Sequence, residues 1–196
     1  MAGMAVAFIV LLAGAIYSLS QFEATSSTAS LQVPDIQSTL RKDLPHFEYV
    51  TPEKTLTHAT IQGKWTLLTF WAHWCQPCLD ELPGLNQLAA SWQGPEFNII
   101  TVNVDDPESE NYALAAEFLQ NNDLILPTVF DKSGELKKTF EVVELPRHFL
   151  ISPKGEIRWD GLGAFSWNDS RTRDLLLKAM ETERVPAPES EPESAE

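Results

Sequence analysis

The sequence predicts a mixed-sheet α/β domain, and three features carry that expectation. Two continuous apolar runs, WTLLTFWA at residues 65–72 and FNIITVNV at residues 97–104, have the composition of strands buried on both faces. Each is followed by a segment with helical periodicity. Near the C-terminus, RHFLIS and EIRWDG flank Ser152-Pro153-Lys154-Gly155, a hairpin turn by composition. Parallel strands need a crossover helix and hairpin strands run antiparallel, so both patterns together require a central mixed β-sheet flanked by helices.

Taken in order, FEYV and KTLTH are short and β-compatible, joined by a turn at Thr51-Pro52. The first buried strand leads into a helix over residues 79–92, with Leu82, Leu85, Leu88 and Trp92 on one face. After the second buried strand, Asp106-Pro107-Glu108 reads as a helix start, Asp capping and Pro in the first turn. That helix runs to about Asn121 with Leu114, Phe118 and Leu119 turned inward. LILPTVF is a short strand, GELKKTFEV a short helix, and SRTRDLLLKAMETE a closing helix with Leu175, Leu176 and Ala179 inward.

The ends differ in kind. Residues 1–20 hold no charged side chain and are about long enough to cross a hydrocarbon core, which takes ~20 apolar residues. They read as a membrane anchor or a signal peptide: Ala13-Gly14-Ala15 and Ser18-Leu19-Ser20 offer small-x-small cleavage patterns. The anchor is the preferred reading, and either one sends the domain out of the cytoplasm. The first basic residue is Arg41, so flanking charge gives little orientation. Residues 21–42, rich in Ser, Thr and Gln, form a flexible spacer, and residues 43–184 the folded domain. Residues 185–196 form an acidic tail too poor in apolar side chains to pack. A net charge of −14 over 196 residues argues against nucleic acid and anionic headgroups as partners.

Cys75 and Cys78 are the only cysteines, and they allow a redox pair, part of a metal site, or a structural staple. Structural zinc wants four N or S ligands, and His46, His58, His73 and His148 are scattered singly. A disulfide across two residues restricts the unfolded chain very little. The pair sits where a buried strand gives way to a helix, which places Cys75 at a helix N-terminus, a setting that favours the thiolate. Cys78, one turn further on, is placed to resolve a mixed disulfide formed at Cys75. Trp71 reads as core, and Trp74 as a cover facing the substrate.

With these residues in view, FWAHWCQPCLDELPGL resembles the active-site segment of the thioredoxin superfamily, and Glu81-Leu82-Pro83 the TlpA/ResA/DsbE branch of membrane-anchored members. VNVDD and LPRHFLISPKGEIRWDGLG resemble that branch's later landmarks, and residues 44–75 its N-terminal β-hairpin and lead into the first core strand. The resemblance implies a thioredoxin-like fold with an N-terminal β-hairpin extension. It implies an extracytoplasmic thiol:disulfide oxidoreductase at the bacterial inner membrane, facing the periplasm, or free there if the segment is cleaved. Its clients would be disulfides of exported proteins, apocytochrome c among them, with electrons from a membrane reductase. The redox-active Cys75–Cys78 disulfide would need no further cofactor, no metal and no second copy of the chain. By the same resemblance Pro146 matches the family's cis-proline, Leu145 supplies backbone for a bound client, and Glu81 is the carboxylate that takes protons from Cys78.

Three features depart from the family pattern. Thr69 stands six residues before Cys75, where many thioredoxins carry a buried Asp, so a proton relay would use Glu81, Asp80 or water. The dipeptide Gln76-Pro77 leaves the redox poise open, and Arg147 is larger and more basic than the usual residue after the cis-proline. His73 is placed to favour the Cys75 thiolate when protonated, or else is an exposed spectator. A Cu(I)-binding, copper-resistance module using both thiolates and a His is the alternative function, since soft thiolates suit that ion. A peroxidase-like redoxin would need Thr or Ser three residues before its cysteine; that position is Ala72.

Overall fold

The β-strands and helices follow the predicted order around one mixed sheet. The computed structural model describes residues 42–45, 47–50, 55–92 and 96–181. The expected anchor, the acidic tail, all but the last residue of the spacer, and the Thr51-Pro52 turn lie outside the described residues. In chain order the elements are β1 (Lys42–Asp43), β2 (Glu48–Val50), β3 (Thr55–Thr57), α1 (His58–Ile61), β4 (Trp65–Trp71) and α2 (Gln76–Trp92). There follow β5 (Phe97–Asn103), α3 (Glu110–Asn121), β6 (Thr128–Phe130), α4 (Glu135–Thr139), β7 (Arg147–Ile151), β8 (Glu156–Leu162) and α5 (Ser170–Glu181). Among these helices none is long and apolar enough to cross a membrane.

The six-stranded sheet has the order β1-β8-β7-β4-β5-β6, and β2 with β3 forms the separate N-terminal hairpin. β4 is its pivot: it runs parallel to β5 and antiparallel to β7. Every residue of β4 is buried, as its unbroken apolar run requires. The side chains alternate between two cores. Trp65, Leu67 and Trp71 join Leu82, Leu85 and Leu88 of α2, Ala115 of α3 and Leu176 of α5. Leu68 and Phe70 join Phe47, Leu56 and Ile61 from the N-terminal segment with Leu136 of α4 and Phe140 just after it. On that second side Phe47, Phe70, Phe140 and Phe149 pack as edge-on and tilted rings 5.2–5.8 Å apart. Burying each such ring stabilises the fold by about 1.5–3 kcal/mol.

Two expectations need correction. The third helix begins at Glu110, not near Asp106. The Asp106 side chain accepts from Glu108 N–H at 2.9 Å, and its carbonyl accepts from Ser109 N–H and Oγ. Asp106 thus closes a turn of its own before the helix starts. Leu114 is 38% exposed, and Ala115 takes the fully buried place. Ala115, Phe118 and Leu119 share one stripe at helical spacing, which leaves Leu114 at its edge. β1 was not foreseen; its two residues pair with Ile157 and Glu156 of β8.

Candidate active site

The site forms where β4 ends. Trp71 O accepts from Val104 N–H, Ala72 O accepts from Cys75 N–H at 3.1 Å, and the chain turns directly into α2. Cys75 precedes the first helical residue and its carbonyl accepts from Cys78 and Leu79 N–H, so it occupies the N-cap position. Cys75 and Cys78 are joined as a disulfide with Cα atoms 5.3 Å apart. Trp74 is 61% exposed beside them, while Trp71 is fully buried. Gln76 and Pro77 are exposed, and Gln76 Nε2 donates to Asp80 Oδ1 at 2.7 Å. That bond holds Asp80 at the exposed surface of the helix.

The Leu145–Pro146 peptide bond is cis. Arg147, the next residue, opposes Phe70 across the β4–β7 ladder. Pro146 therefore lies at the end of the sheet from which β4 enters the cysteine turn. It is buried, Leu145 is half-buried, and the Pro146 carbonyl accepts from Gly163 N–H at 3.0 Å.

Arg147 and His73 have partners of their own. Nε and Nη2 of Arg147 each lie 2.6 Å from an oxygen of Asp160, a two-pronged pair on one face of β7 and β8, with Phe149 beneath the guanidinium. His73 donates its backbone N–H to Asp105 Oδ2 at 2.7 Å, and its ring lies 3.3 Å from Asn111 Oδ1 and against Phe118. His73 is half-buried, so the exposed-spectator role does not describe it.

Glu81 is the fully buried carboxyl of the site. It shares a face of α2 with Cys78, Leu82 and Leu85, all buried. Its Oε2 accepts from Phe165 N–H at 2.9 Å and from Trp167 Nε1–H at 3.1 Å. Burial pushes its pKa up to about 8, against the opposing pull of those two donors. Near neutral pH it therefore carries a proton that it can readily give up.

Sequence reasoning missed the partner of that carboxyl. His148 Nε2 lies 3.4 Å from Glu81 Oε1, with both side chains shut off from solvent. Strand parity puts them together: Leu150 faces the α2 side of the sheet and Phe149 and Ile151 the other, so His148 faces α2 as well. Directly across the β4–β7 ladder stands Thr69, whose Oγ1 lies 3.1 Å from His148 Nδ1, and on the other side stands Gly161 of β8. His148 Nε2 is also 3.1 Å from the carbonyl of Gly163, whose φ of 92° is a conformation glycine adopts without strain. Trp159, Phe165 and Trp167 wall in the imidazole, with centroids 5.0–6.1 Å away. Burial holds His148 neutral with its pKa lowered to about 3, an effect the Gly163 carbonyl opposes and the Arg147 charge reinforces. The available signal was the pairing of Thr69 with a histidine two residues after Pro146, once β4 and β7 are laid side by side.

The wall depends on Gly161. A Cβ added there would collide with Cζ2 and Cη2 of Trp159, whose ring folds over it. Gly161→Ala is expected to cost about 1–3 kcal/mol in chemical denaturation and to alter the near-UV dichroism of the tryptophans, because Trp159 must leave its stack on His148.

With this geometry in hand, comparison with known proteins gives a consistent placement. The sequence pattern of the AhpC/TSA family matches residues 40–160, well over half of the chain. The chain is 34% identical over 102 residues to sporulation thiol-disulfide oxidoreductase A of Bacillus subtilis (strain 168), covering 52% of this chain and 61% of that protein. It is 32% identical over 117 residues to thiol-disulfide oxidoreductase ResA of Bacillus thuringiensis subsp. konkukian (strain 97-27), covering 59% and 65%. In each case the match spans less than two thirds of the relative's own length. Among solved structures, StoA from Bacillus subtilis superposes with a TM-score of 0.55 at 29% identity, over 64% of this chain and 92% of that one. A putative thiol:disulfide interchange protein DsbE from Chlorobium tepidum, at 24% identity and a TM-score of 0.61 over 71% and 96%, shares the fold. The fold is thioredoxin-like, and the chain belongs to the AhpC/TSA family.

Proposed function

We propose that this protein is a thiol:disulfide oxidoreductase that reduces disulfides of exported proteins, tethered by residues 1–20 to the bacterial inner membrane with its domain in the periplasm. The observation that supports this reading is a Cys75–Cys78 disulfide at the head of a long helix whose buried face also carries the carboxyl of Glu81. Starting from the dithiol, the Cys75 thiolate attacks one sulfur of a client disulfide, and the other client sulfur leaves as a thiolate. In the fraction of molecules in which Glu81 is ionised, its carboxylate takes the Cys78 proton, and the Cys78 thiolate attacks Cys75 Sγ. The bond between Cys75 and the client breaks, the Cys75–Cys78 bond forms, and the client leaves with two electrons. A membrane reductase then restores the dithiol, and no further cofactor enters.

Trp74 offers the client an apolar surface. Proline has no N–H and the Pro146 carbonyl is taken up by Gly163, so backbone pairing with the client falls to Leu145. Among the described residues the copper reading gains no third ligand: His148 is engaged with Thr69 and Gly163, and His73 with Asn111. Equilibration of the Cys75/Cys78 couple against glutathione or thioredoxin tests the direction of electron flow. A potential near thioredoxin's, about −270 mV, supports reduction of clients; one near about −120 mV would make the protein a disulfide donor. Cytochrome c maturation is the first pathway to assay, by the c-type cytochrome content of a deletion strain complemented with wild type or Cys75→Ser.

A further inference from the structure

Glu81 and His148 meet through two atoms whose hydrogen-bond roles can be worked out. Oε2 of Glu81 already accepts two N–H donors, so when the carboxyl is neutral its proton sits on Oε1. Oε1 accepts no hydrogen bond in the structure and faces His148 Nε2. The Gly163 carbonyl can only accept, so Nε2 carries a hydrogen, and the neutral ring's Nδ1 lone pair is left to accept from the Thr69 hydroxyl. The imidazole thus presents a hydrogen-bearing nitrogen, not a lone pair, 3.4 Å from Oε1, with the N–H itself directed at the Gly163 carbonyl. It can stabilise the carboxylate but cannot take its proton.

We propose that His148, locked as the Nε2–H tautomer between Thr69 and Gly163, is a positioning residue that sets the pH at which Glu81 releases its proton and leaves Cys78 as that proton's exchange partner. This rests on the role proposed above for Glu81. In the resolving step the Cys78 S–H bond breaks and the Glu81 Oε1–H bond forms. The carboxylate oxygen that receives the proton lies 3.4 Å from the hydrogen-bearing Nε2 of His148. The other titratable and charged groups bearing on this pair are Cys78 on α2 and Arg147 beside His148, whose guanidinium is held by Asp160 of β8. Thr69 thus fills the position of the missing buried Asp with a hydroxyl that acts on Glu81 only through the histidine.

The test uses the full chain in its oxidised form. The infrared band of the protonated carboxyl, assigned by its loss in Glu81→Gln, is followed against pH in wild type, His148→Phe and His148→Gln. Removal of the N–H in His148→Phe is expected to raise the Glu81 midpoint by about one pH unit, a tenfold change in proton affinity. His148→Gln, which keeps an N–H donor, should return most of that shift. An unchanged midpoint in a folded His148→Phe protein overturns the proposal. Should that variant fail to fold, nitrogen NMR of the wild-type ring decides. The proposal requires the Nε2–H tautomer and an Nε2–H resonance that moves through the Glu81 midpoint and stays flat in Glu81→Gln. An Nδ1–H tautomer or an unmoved resonance rejects it. A resolving rate unaffected by Glu81→Gln, with the His148 shifts intact, would instead remove the catalytic role of Glu81 and leave the coupling standing.

Discussion

Cys78→Ala is expected to convert the protein from a turnover catalyst into a trap. Cys75 would still attack client disulfides, but nothing would resolve the product, so covalent adducts should accumulate and disappear on treatment with dithiothreitol. Cys75→Ser should form none, and its reduction of a model protein disulfide should fall to the uncatalysed rate, since a hydroxyl at neutral pH is no substitute for a thiolate. The two cysteines are given unequal roles by position. Cys75 caps the helix beside exposed Trp74, Gln76 and Pro77, whereas Cys78 lies inside the first turn with no exposed surface. Adduct capture from cells expressing the full chain, followed by peptide mapping, reads out the result. Adducts through Cys78 in the Cys75→Ser protein would reverse the assignment. Absence of any adduct in Cys78→Ala, with the fold intact, would remove the exchange mechanism altogether.

The parts of the site legible in the sequence are those whose geometry is local. A strand running into a helix, two cysteines one turn apart and a carboxylate three residues further on are all set by helical spacing, and the structure keeps them on one buried face of α2. What was not legible runs across the sheet. Thr69 and His148 are 79 residues apart in sequence, and only the β4–β7 register makes them neighbours. A single histidine in an apolar strand looks the same whether it points at Phe70's side of the sheet or at Glu81's. Arg147 shows the same limit from the other direction. Its basic charge invites a role toward substrate, yet Asp160 on the adjoining strand accounts for it. The misplaced start of α3 was a local error, a turn closed by Asp106 that used the same residue types as a helix cap.

The buried pair also fixes how stability should vary with pH, and the variation has two limbs of opposite sign. Glu81 has its folded pKa raised from an ordinary 4.5 to about 8. The unfolded chain therefore loses this proton first, and the stability present below pH 4.5 is lost as pH rises toward 8. His148 has its pKa lowered from 6.5 to about 3. The unfolded chain gains that proton first, and the stability present above pH 6.5 is lost as pH falls toward 3. Each limb is worth at most about 1.4 kcal/mol per pH unit. Between pH 4.5 and 6.5 the two slopes oppose and nearly cancel, so their joint contribution should be flat there and decline on both sides. Glu81→Gln should abolish the alkaline decline and leave a rise from pH 3 to 6.5, while His148→Phe should abolish the acid decline and leave a fall that begins at 4.5 and extends about one pH unit beyond the wild-type end at 8. Denaturant titrations of wild type and both variants across this range, compared as differences so that surface carboxylates drop out, measure the two limbs separately. A wild-type minus Glu81→Gln difference that stays level between pH 4.5 and 8 would mean that Glu81 is ionised inside the fold with an ordinary carboxylate pKa, too weak a base to draw the proton from Cys78.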